Sequence, residues 1–367
     1  MAKQVIVLSS LLSLALLLTA CGDQLILERL GFTQSTSYDL MKDGRLKICV
    51  SIPKTDPDST VRREVLTTVA RTSKEARILL SRKTNLILVS GQLRTTIYGS
   101  ALAKSGLWKH LDTLQRDPSI SPRVKIVIVE GEAYKLLERN FPEHPRTGQY
   151  IDRMLEKASR GEAIPRVTLY DFAREYYDDG IDPIAPLIVE REKNAEIGGI
   201  ALFDEDKYKM KIHTDQILLF SLAHNDLDKG EMSIDLGGAH GTQSIMLDSI
   251  ESKRKLKTRR SGASSFEIDM TISIHGSIRE YIGTLELSET KDRKKLEKDM
   301  AEHLAKQIND LVRSIQQHHV DSLGLGKAVR NSLSYKEWKS LDWKSVYPQI
   351  KTNVKINLKI KDQGKVK

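Results

Sequence analysis

The chain has 367 residues, of which 40% are hydrophobic and 29% charged, a balance typical of a folded soluble body rather than a disordered chain. Lysine and arginine outnumber aspartate and glutamate by 58 to 49, an excess compatible with an anionic lipid surface, an acidic partner or nucleic acid. The only cysteines are Cys21 and Cys49, which excludes a disulfide-stapled scaffold and a thiolate zinc cluster. A chain of this length usually forms two or three domains with separate cores.

The first twenty residues have the pattern of a bacterial export signal. Lys3 is followed by an apolar stretch at 5–18, and the Leu-Thr-Ala-Cys run at 18–21 looks like a bacterial lipobox. The stretch is shorter than the roughly 20 residues that a membrane-spanning helix needs, which argues against a spanning anchor. We therefore predict a signal peptide at 1–20, cleavage after Ala20, and lipidation of Cys21 at the extracytoplasmic face of a membrane. Export makes lipid or an acidic protein the expected partner, and we expect no nucleic acid.

Short apolar strands alternate with helical segments between residues 46 and 186. Residues 85–89 and 124–129 are β-branched and apolar on both faces, which is typical of strands covered on both sides by helices. Residues 21–190 are therefore predicted to form an N-terminal α/β domain. The predicted helices of this domain lie at 73–82, 101–115, 132–139, 149–158 and 168–178.

Two local features complete this part of the prediction. Cys49 lies in a strand-like run and is interpreted as a small buried residue rather than a reactive thiol. The Asp-Pro-Ile-Ala-Pro run at 182–186 interrupts the alternation and is interpreted as a linker.

A small middle domain is predicted at 191–240. It combines an apolar run at 200–203, a turn at 204–207 and a helical segment at 214–222.

Residues 241–367 are predicted to form a C-terminal α+β domain. Apolar and polar residues alternate at 266–274 and again at 354–360, the pattern of an antiparallel sheet with one buried face. Apolar residues at helical spacing between 296 and 315 predict the helix that covers this face. The predicted fold class is α/β and α+β, with three mixed helix and sheet domains, the last an antiparallel sheet packed by a long helix.

No arrangement of residues points to catalysis, a metal or a cofactor. His318 and His319 point about 100° apart on a helix, no His-Glu-x-x-His motif occurs, and both are interpreted as surface or capping residues. The Gly-Leu-Gly-Lys run at 324–327 lacks the Walker spacing and is interpreted as a helix C-terminus and turn with positive φ. The glycine-rich run at 237–241 is interpreted as a loop between domains, with a binding loop as the alternative. We therefore predict that the chain is not an enzyme.

Two surface features allow two interpretations each. The basic run at 253–260 is interpreted as a solvated hairpin turn, with contact to anionic headgroups as the alternative. Trp338 and Trp343 are interpreted as packing a short helix on the terminal sheet, with exposed binding aromatics as the alternative.

Several segments, in this order, are similar to the motifs of one family. They are Cys-Gly-Asp at 21–23, Glu-Arg-Leu-Gly-Phe at 28–32, Gly-Ile-Ala-Leu-Phe at 199–203, Asp321, Gly-Leu-Gly at 324–326, Trp338, Trp343, Tyr-Pro at 347–348 and the strand at 354–360. Through them the chain resembles the C subunits of bacterial spore germinant receptors, the Ger(x)C lipoproteins, along nearly its whole length.

The resemblance implies three mixed domains and a lipoprotein of the spore inner membrane. It also implies that the protein acts together with two integral membrane subunits, A and B, in the response to nutrient germinants. The family has no catalytic residues that could be assigned to positions of this chain. We therefore expect a membrane-anchored receptor subunit that acts through protein contacts. The alternative is a solute-binding lipoprotein of a transporter, which usually has two similar α/β lobes, whereas the two halves of this chain differ in pattern.

Overall fold

The computed structural model describes residues 26–54, 62–161, 163–237, 243–262 and 264–362, together with residues 4 and 9. The predicted signal peptide, the predicted lipidation site Cys21 and residues 238–241 of the glycine-rich run lie outside the described residues, apart from positions 4 and 9.

The described strands form three sheets. β1 and β5 make a small parallel pair, eight strands form a sheet in the order β10-β9-β8-β7-β6-β2-β3-β4, and four form a sheet in the order β11-β12-β13-β14. Their bounds are β1 Leu30–Phe32, β2 Ser35–Leu40, β3 Leu46–Pro53, β4 Arg63–Ala70, β5 Ile87–Val89, β6 Thr95–Gly99, β7 Lys125–Val129, β8 Ile184–Glu190, β9 Ala195–Asp204, β10 Lys207–Ile212, β11 Met232–Leu236, β12 Gln243–Arg260, β13 Phe266–Ile282 and β14 Lys351–Asp362.

The described helices connect these strands. The α-helices are α1 Ser73–Ser81, α2 Ser100–Ser105, α3 Trp108–Gln115, α4 Ala133–Glu138, α5 Thr147–Arg160, α6 Leu169–Tyr177, α7 Ile217–His224, α8 Thr290–Gln317, α9 Leu325–Arg330, α10 Tyr335–Ser340 and α11 Trp343–Val346. Short 3-10 helices lie at Leu27–Arg29, Thr214–Gln216 and Tyr347–Gln349.

The eight-stranded sheet has a parallel centre, β2-β6-β7-β8, flanked by antiparallel strands at both edges. The predicted strand at 124–129 is its buried strand β7, and the predicted helices of this region are present with small shifts at their ends. The exception is the helix predicted at 101–115, which divides into α2 and α3 at Gly106, where φ is +114°.

The strand predicted at 85–89 lies elsewhere than expected. Of these residues only 87–89 form a strand, β5, which pairs with β1 outside the large sheet. The side chain of Ile87 is 47% exposed. The expectation that helices cover it on both sides is therefore wrong. The central strand β6 was missed instead, because its sequence, Thr-Thr-Ile-Tyr-Gly, is not an apolar run although every residue of it is buried.

The predicted linker at 182–186 is also wrong. β8 begins at Ile184, and Ile184, Leu187 and Ile188 are fully buried between β7 and β9. The apolar side chains outweigh the effect of the two prolines, because burial of each stabilises by about 1.5–3 kcal/mol. Strands β9 and β10 extend the same sheet, so the chain on both sides of residue 190 shares one sheet. The domain boundaries at 190 and 240 remain predictions.

The C-terminal sheet confirms the predicted alternation and its long covering helix. Met270 and Ile272 on β13 are fully buried, as are Leu304 and Ile308 on α8, to within 1% exposure. β11, β12 and β13 are antiparallel, whereas β14 pairs with β13 in parallel because α8 lies between them in the chain and returns it to the same end.

The basic run at 253–260 is not the predicted hairpin turn. It forms the end of β12, paired with β13, which begins at Phe266. Leu256 and Thr258 are half-buried while Lys253, Lys255 and Lys257 are exposed, which is the period of a strand.

A continuous hydrophobic cluster joins the two large sheets within the described residues. It runs from Phe203 in the eight-stranded sheet through Phe220 on α7 to Leu304 and Ile272 in the four-stranded part. The chain length predicted domains with separate cores, whereas the two large sheets share one hydrophobic core in the described residues.

Candidate functional site

The C-terminal residues that carried the family resemblance meet at one place. Residues 178–183, which follow α6, lie against residues 319–347, and the two segments line a cleft of about 390 Å³. This surface between the two segments is called the Asp321 contact below.

Asp321 is fully buried and organises this contact. Its Oδ1 accepts a hydrogen bond from the N–H of Leu325 (2.8 Å) and its Oδ2 from the N–H of Gly326 (2.7 Å), so the carboxylate binds the start of α9. Asp182 lies beside it and accepts from the N–H of Asp321 (2.6 Å) and of Glu205 (3.0 Å). Both oxygens of each carboxyl group are thereby occupied by backbone donors, which gives the pair a structural role.

The two carboxyl groups have raised pKa values. Burial is the main cause in both, and it raises the pKa of Asp182 to about 6. The pKa of Asp321 lies well above its usual range, because burial is reinforced by the charge of Asp182.

Two glycines allow the backbones to touch in the Asp321 contact. Gly180 has φ +90° and its carbonyl accepts from the N–H of Lys327 (2.8 Å). A Cβ atom on Gly326 would lie 2.6 Å from the Cα of Gly180 and 2.7 Å from Cε2 of Trp343. Gly324 has φ +66°, as predicted for a turn, but it precedes the helix α9 rather than ending one, so that part of the prediction is wrong.

The tryptophans pack in this contact rather than on the terminal sheet. Trp338 is 7% exposed, and its Nε1 donates to Oδ2 of Asp179 at 3.3 Å. The ring of Trp343 lies 5.6 Å from those of Trp338 and Tyr347. The prediction that these aromatics pack internally is correct for Trp338, and the surface against which they pack was predicted wrongly.

Charge pairs surround the contact. The carboxylates belong to 178–179 and 204–205, and the cations to the C-terminal segment. The pairs are Asp178 with Lys327 and Arg330, Asp179 with Lys339, and Lys344 with Asp204 and Glu205. Exposed pairs of this kind each contribute about 0–1 kcal/mol, so they orient the segments more than they stabilise them.

A second polar region lies next to the Asp321 contact. A pocket of about 310 Å³ is lined by residues of α6 and α7, including Glu175, Ser221 and His224. Among the described atoms, Oε2 of Glu175 and Oγ of Ser221 are buried without a hydrogen-bond partner. Nδ1 of His224 lies 2.8 Å from the carbonyl of Ser322, and burial lowers the pKa of His224 to about 4. Burial raises the pKa of Glu175 to about 7.

The raised pKa of Glu175 predicts a pH dependence of stability. The folded-state pKa, about 7, exceeds the ordinary value of 4.5, so the associated stability is present below pH 4.5 and is lost as the pH rises through 7. One pKa unit corresponds to about 1.4 kcal/mol, so the wild type should lose about 3 kcal/mol relative to Glu175→Gln between pH 4.5 and about pH 8. Urea unfolding of both proteins across this range measures the difference, and parallel pH profiles would contradict it.

The remaining sequence candidates are local structural residues. His318 contacts the carbonyl of Ser314 through Nδ1 (2.8 Å), and His319 follows α8 with φ +56°, which confirms the capping interpretation. Cys49 is fully buried, as predicted, and burial raises the pKa of its thiol to about 12.

In the described part of the chain, no group of three or more His, Cys, Asp or Glu side chains is arranged to hold a metal ion. None of the helices in this part combines the length and the apolar composition that crossing a membrane requires.

The residues missed by sequence reasoning are those at 178–182. Asp178 ends the helix predicted at 168–178 and Asp182 begins the linker predicted at 182–186, whereas residues 178–182 supply one side of the Asp321 contact. The available signal was charge: three aspartates within five residues precede, far along the chain, a segment rich in lysine and arginine.

The fold and the contact define a class of protein in which an eight-stranded sheet is joined to a four-stranded sheet through a buried carboxylate. Residues 23–190 match a family described as "Spore germination protein N-terminal domain". Residues 198–364 match "Spore germination B3/ GerAC like, C-terminal". The chain belongs to the GerAC-like family of germinant receptor C subunits, whose role is in spore germination.

Individual relatives match almost end to end. The chain is 25% identical to the spore germination protein GerQC of Bacillus cereus, over 96% of this chain and 97% of that protein. It is 24% identical to YfkR of Bacillus subtilis (strain 168), over 94% and 92% of the two chains. The crystal structure of the GerBC protein has the same fold, with a TM-score of 0.55 at 15% identity, and the match covers 92% of this chain and all of that one.

Proposed function

We propose that this chain is the membrane-anchored lipoprotein subunit of a nutrient germinant receptor, exported by residues 1–20 and lipidated on Cys21. The observation that carries this is a lipobox at 18–21 directly before a body that belongs, along nearly its whole length, to the germinant receptor C-subunit family. The location is the extracytoplasmic face of the spore inner membrane.

Lipid on Cys21 would keep the folded body close to the bilayer. The continuous described chain starts at Ile26, five residues after Cys21, and five extended residues span at most roughly 18 Å. A diacylglyceryl group supplies the two acyl chains that stable attachment needs, because one chain gives only marginal binding.

The subunit acts through protein contacts with the integral membrane subunits A and B. This proposal is supported by the family membership. A solute-binding lipoprotein is less well supported, since the eight-stranded and four-stranded sheets differ in topology and share a continuous core.

Replacement of Cys21 tests the proposed anchor. Cys21→Ala is expected to abolish labelling of the protein with radioactive palmitate and to block cleavage after Ala20, because no thiol remains to accept lipid. The uncut apolar stretch at 5–18 would then be a short, poor tether, so labelling is the readout. The test uses cells that lack the A and B subunits, so that protein contacts cannot retain the variant. Cys49→Ala is the matched control: Cys49 is buried, and labelling should persist in that variant.

Equal palmitate labelling of the Cys21→Ala variant and the wild type would end the lipoprotein proposal. A separate assay, in spores that contain A and B, measures the germination response to nutrients. Loss of labelling with an unchanged response would show that protein contacts alone hold the subunit in place.

A further inference from the structure

The exposed side of the four-stranded sheet carries a group of lysines, called the basic face here. Lys253, Lys255 and Lys257 lie on β12, and Lys355 and Lys359 lie on β14, all exposed to solvent. We propose that the basic face binds an anionic phospholipid surface and so provides a second membrane contact besides the proposed lipid on Cys21.

The strand register places these lysines side by side. Lys255 is paired with Thr271 of β13, which is paired on its other side with Lys355, so two lysines flank a hydroxyl. Along β13 the five lysines lie opposite positions from Asp269 to His275. Alternate residues of a strand are about 7 Å apart and neighbouring strands about 4.8 Å, so the backbone positions of the five lysines cover a patch of roughly 20 by 10 Å. Sequence positions almost a hundred residues apart thus form one surface.

The acidic side chains on this surface are already paired. Their pairs are Asp248 with Arg279, Glu251 with Lys361, and Glu267 and Asp269 with Arg259. None of the five lysines forms an ion pair with an acidic side chain of the described chain, so their charge is available to a partner.

The chemistry of the face suits a lipid surface better than a protein. Between the lysines lie Thr271 and Ser273, and protein interfaces are usually centred on buried aromatic or aliphatic anchors, which these rows do not present. A planar array of phosphates matches a sheet face on which the acidic side chains are paired and five lysines are not. Each lysine near an anionic membrane adds roughly fivefold to binding, and the attraction is screened by salt.

Vesicle binding of the unlipidated mature chain tests the proposal. The protein starts at residue 21 and carries Cys21→Ser; among the described residues the buried hydrophobic core lies between 38 and 360, so this change does not touch it. It should co-sediment at low salt with phosphatidylglycerol vesicles but not with phosphatidylcholine vesicles, and high salt should release it. Replacing Lys253, Lys255 and Lys257 by Gln should weaken binding by roughly 100-fold.

A matched control removes the same charge elsewhere. Lys42 follows β2, Lys104 lies on α2 and Lys109 on α3, all exposed in the part of the chain that forms the eight-stranded sheet, and their replacement by Gln should leave binding within a few-fold of the wild type. Thermal unfolding of both triple variants verifies that they fold.

Three results would overturn the proposal: no binding to phosphatidylglycerol, equal binding to both lipids, or equal loss in the two triple variants. Because the tested chain carries no lipid, each of these results is separate from the palmitate test of Cys21. Failure of one proposal therefore leaves the other standing.

Discussion

Deletion of residues 350–367 is expected to destroy the cooperative folding of the four-stranded sheet and α8. β14 pairs with β13 from Glu267 to Ser277 and lies against α8. The deleted segment contains three buried isoleucines, Ile350 directly before β14 and Ile356 and Ile360 on it. Burial of three such side chains is worth about 6 kcal/mol, which is comparable with the whole stability of a typical domain, 5–15 kcal/mol. The truncated chain should therefore aggregate or be digested rapidly by protease within the C-terminal half.

The control for this deletion is a chain that stops after Asp362. It lacks only residues 363–367 and keeps the whole of β14, so it should be soluble and should unfold at the wild-type temperature. Limited proteolysis and thermal unfolding compare the three proteins. If the longer deletion stayed soluble and melted cooperatively at the same temperature, the integral role of β14 would be wrong.

Gly326→Ala is expected to lower the free energy of unfolding by about 3 kcal/mol, because overpacking a tight contact costs roughly this much. The new Cβ would meet the Cα of Gly180 at 2.6 Å, Cε2 of Trp343 at 2.7 Å and Oδ2 of Asp321 at 2.8 Å. The first of these is backbone and cannot rotate away, so relief requires separating residues 178–183 from α9.

Gly91→Ala serves as the comparison for Gly326→Ala. A Cβ atom at Gly91 would lie 3.8 Å from its nearest neighbour, the carbonyl oxygen of Ser119, so the substitution should change stability by less than 1 kcal/mol. Denaturant unfolding of the two variants and the wild type gives both values. Equal midpoints for Gly326→Ala and the wild type would show that the two segments do not touch as described.

Local patterns identified many of the elements. The helices α1 and α6 were predictable from apolar periodicity, and α6 is bounded by the capping box of Thr168 and Asp171. The strand β13 was predictable because its residues alternate between a buried and an exposed face. These properties depend on neighbours within a few residues along the chain, so a single sequence contains them.

Pairing partners were not predictable in the same way. The parallel pairing of β14 with β13, and the place of β8 between β7 and β9, depend on which apolar faces meet after the chain has folded. Period-two alternation indicates which side of a strand is buried, but it does not identify the strand beside it.

The sequence by itself determined the features that depend on neighbouring residues: the run at 18–21 that resembles a lipobox, the change from an α/β pattern to an antiparallel-sheet pattern, and the family motifs in their order. Only the tertiary structure decided what those residues do together. It brought Asp182 against Asp321, and it placed the lysines of β12 beside those of β14. The physical reason is that burial and electrostatic pairing act through space between segments far apart in the chain, whereas helix and strand periodicity act along it.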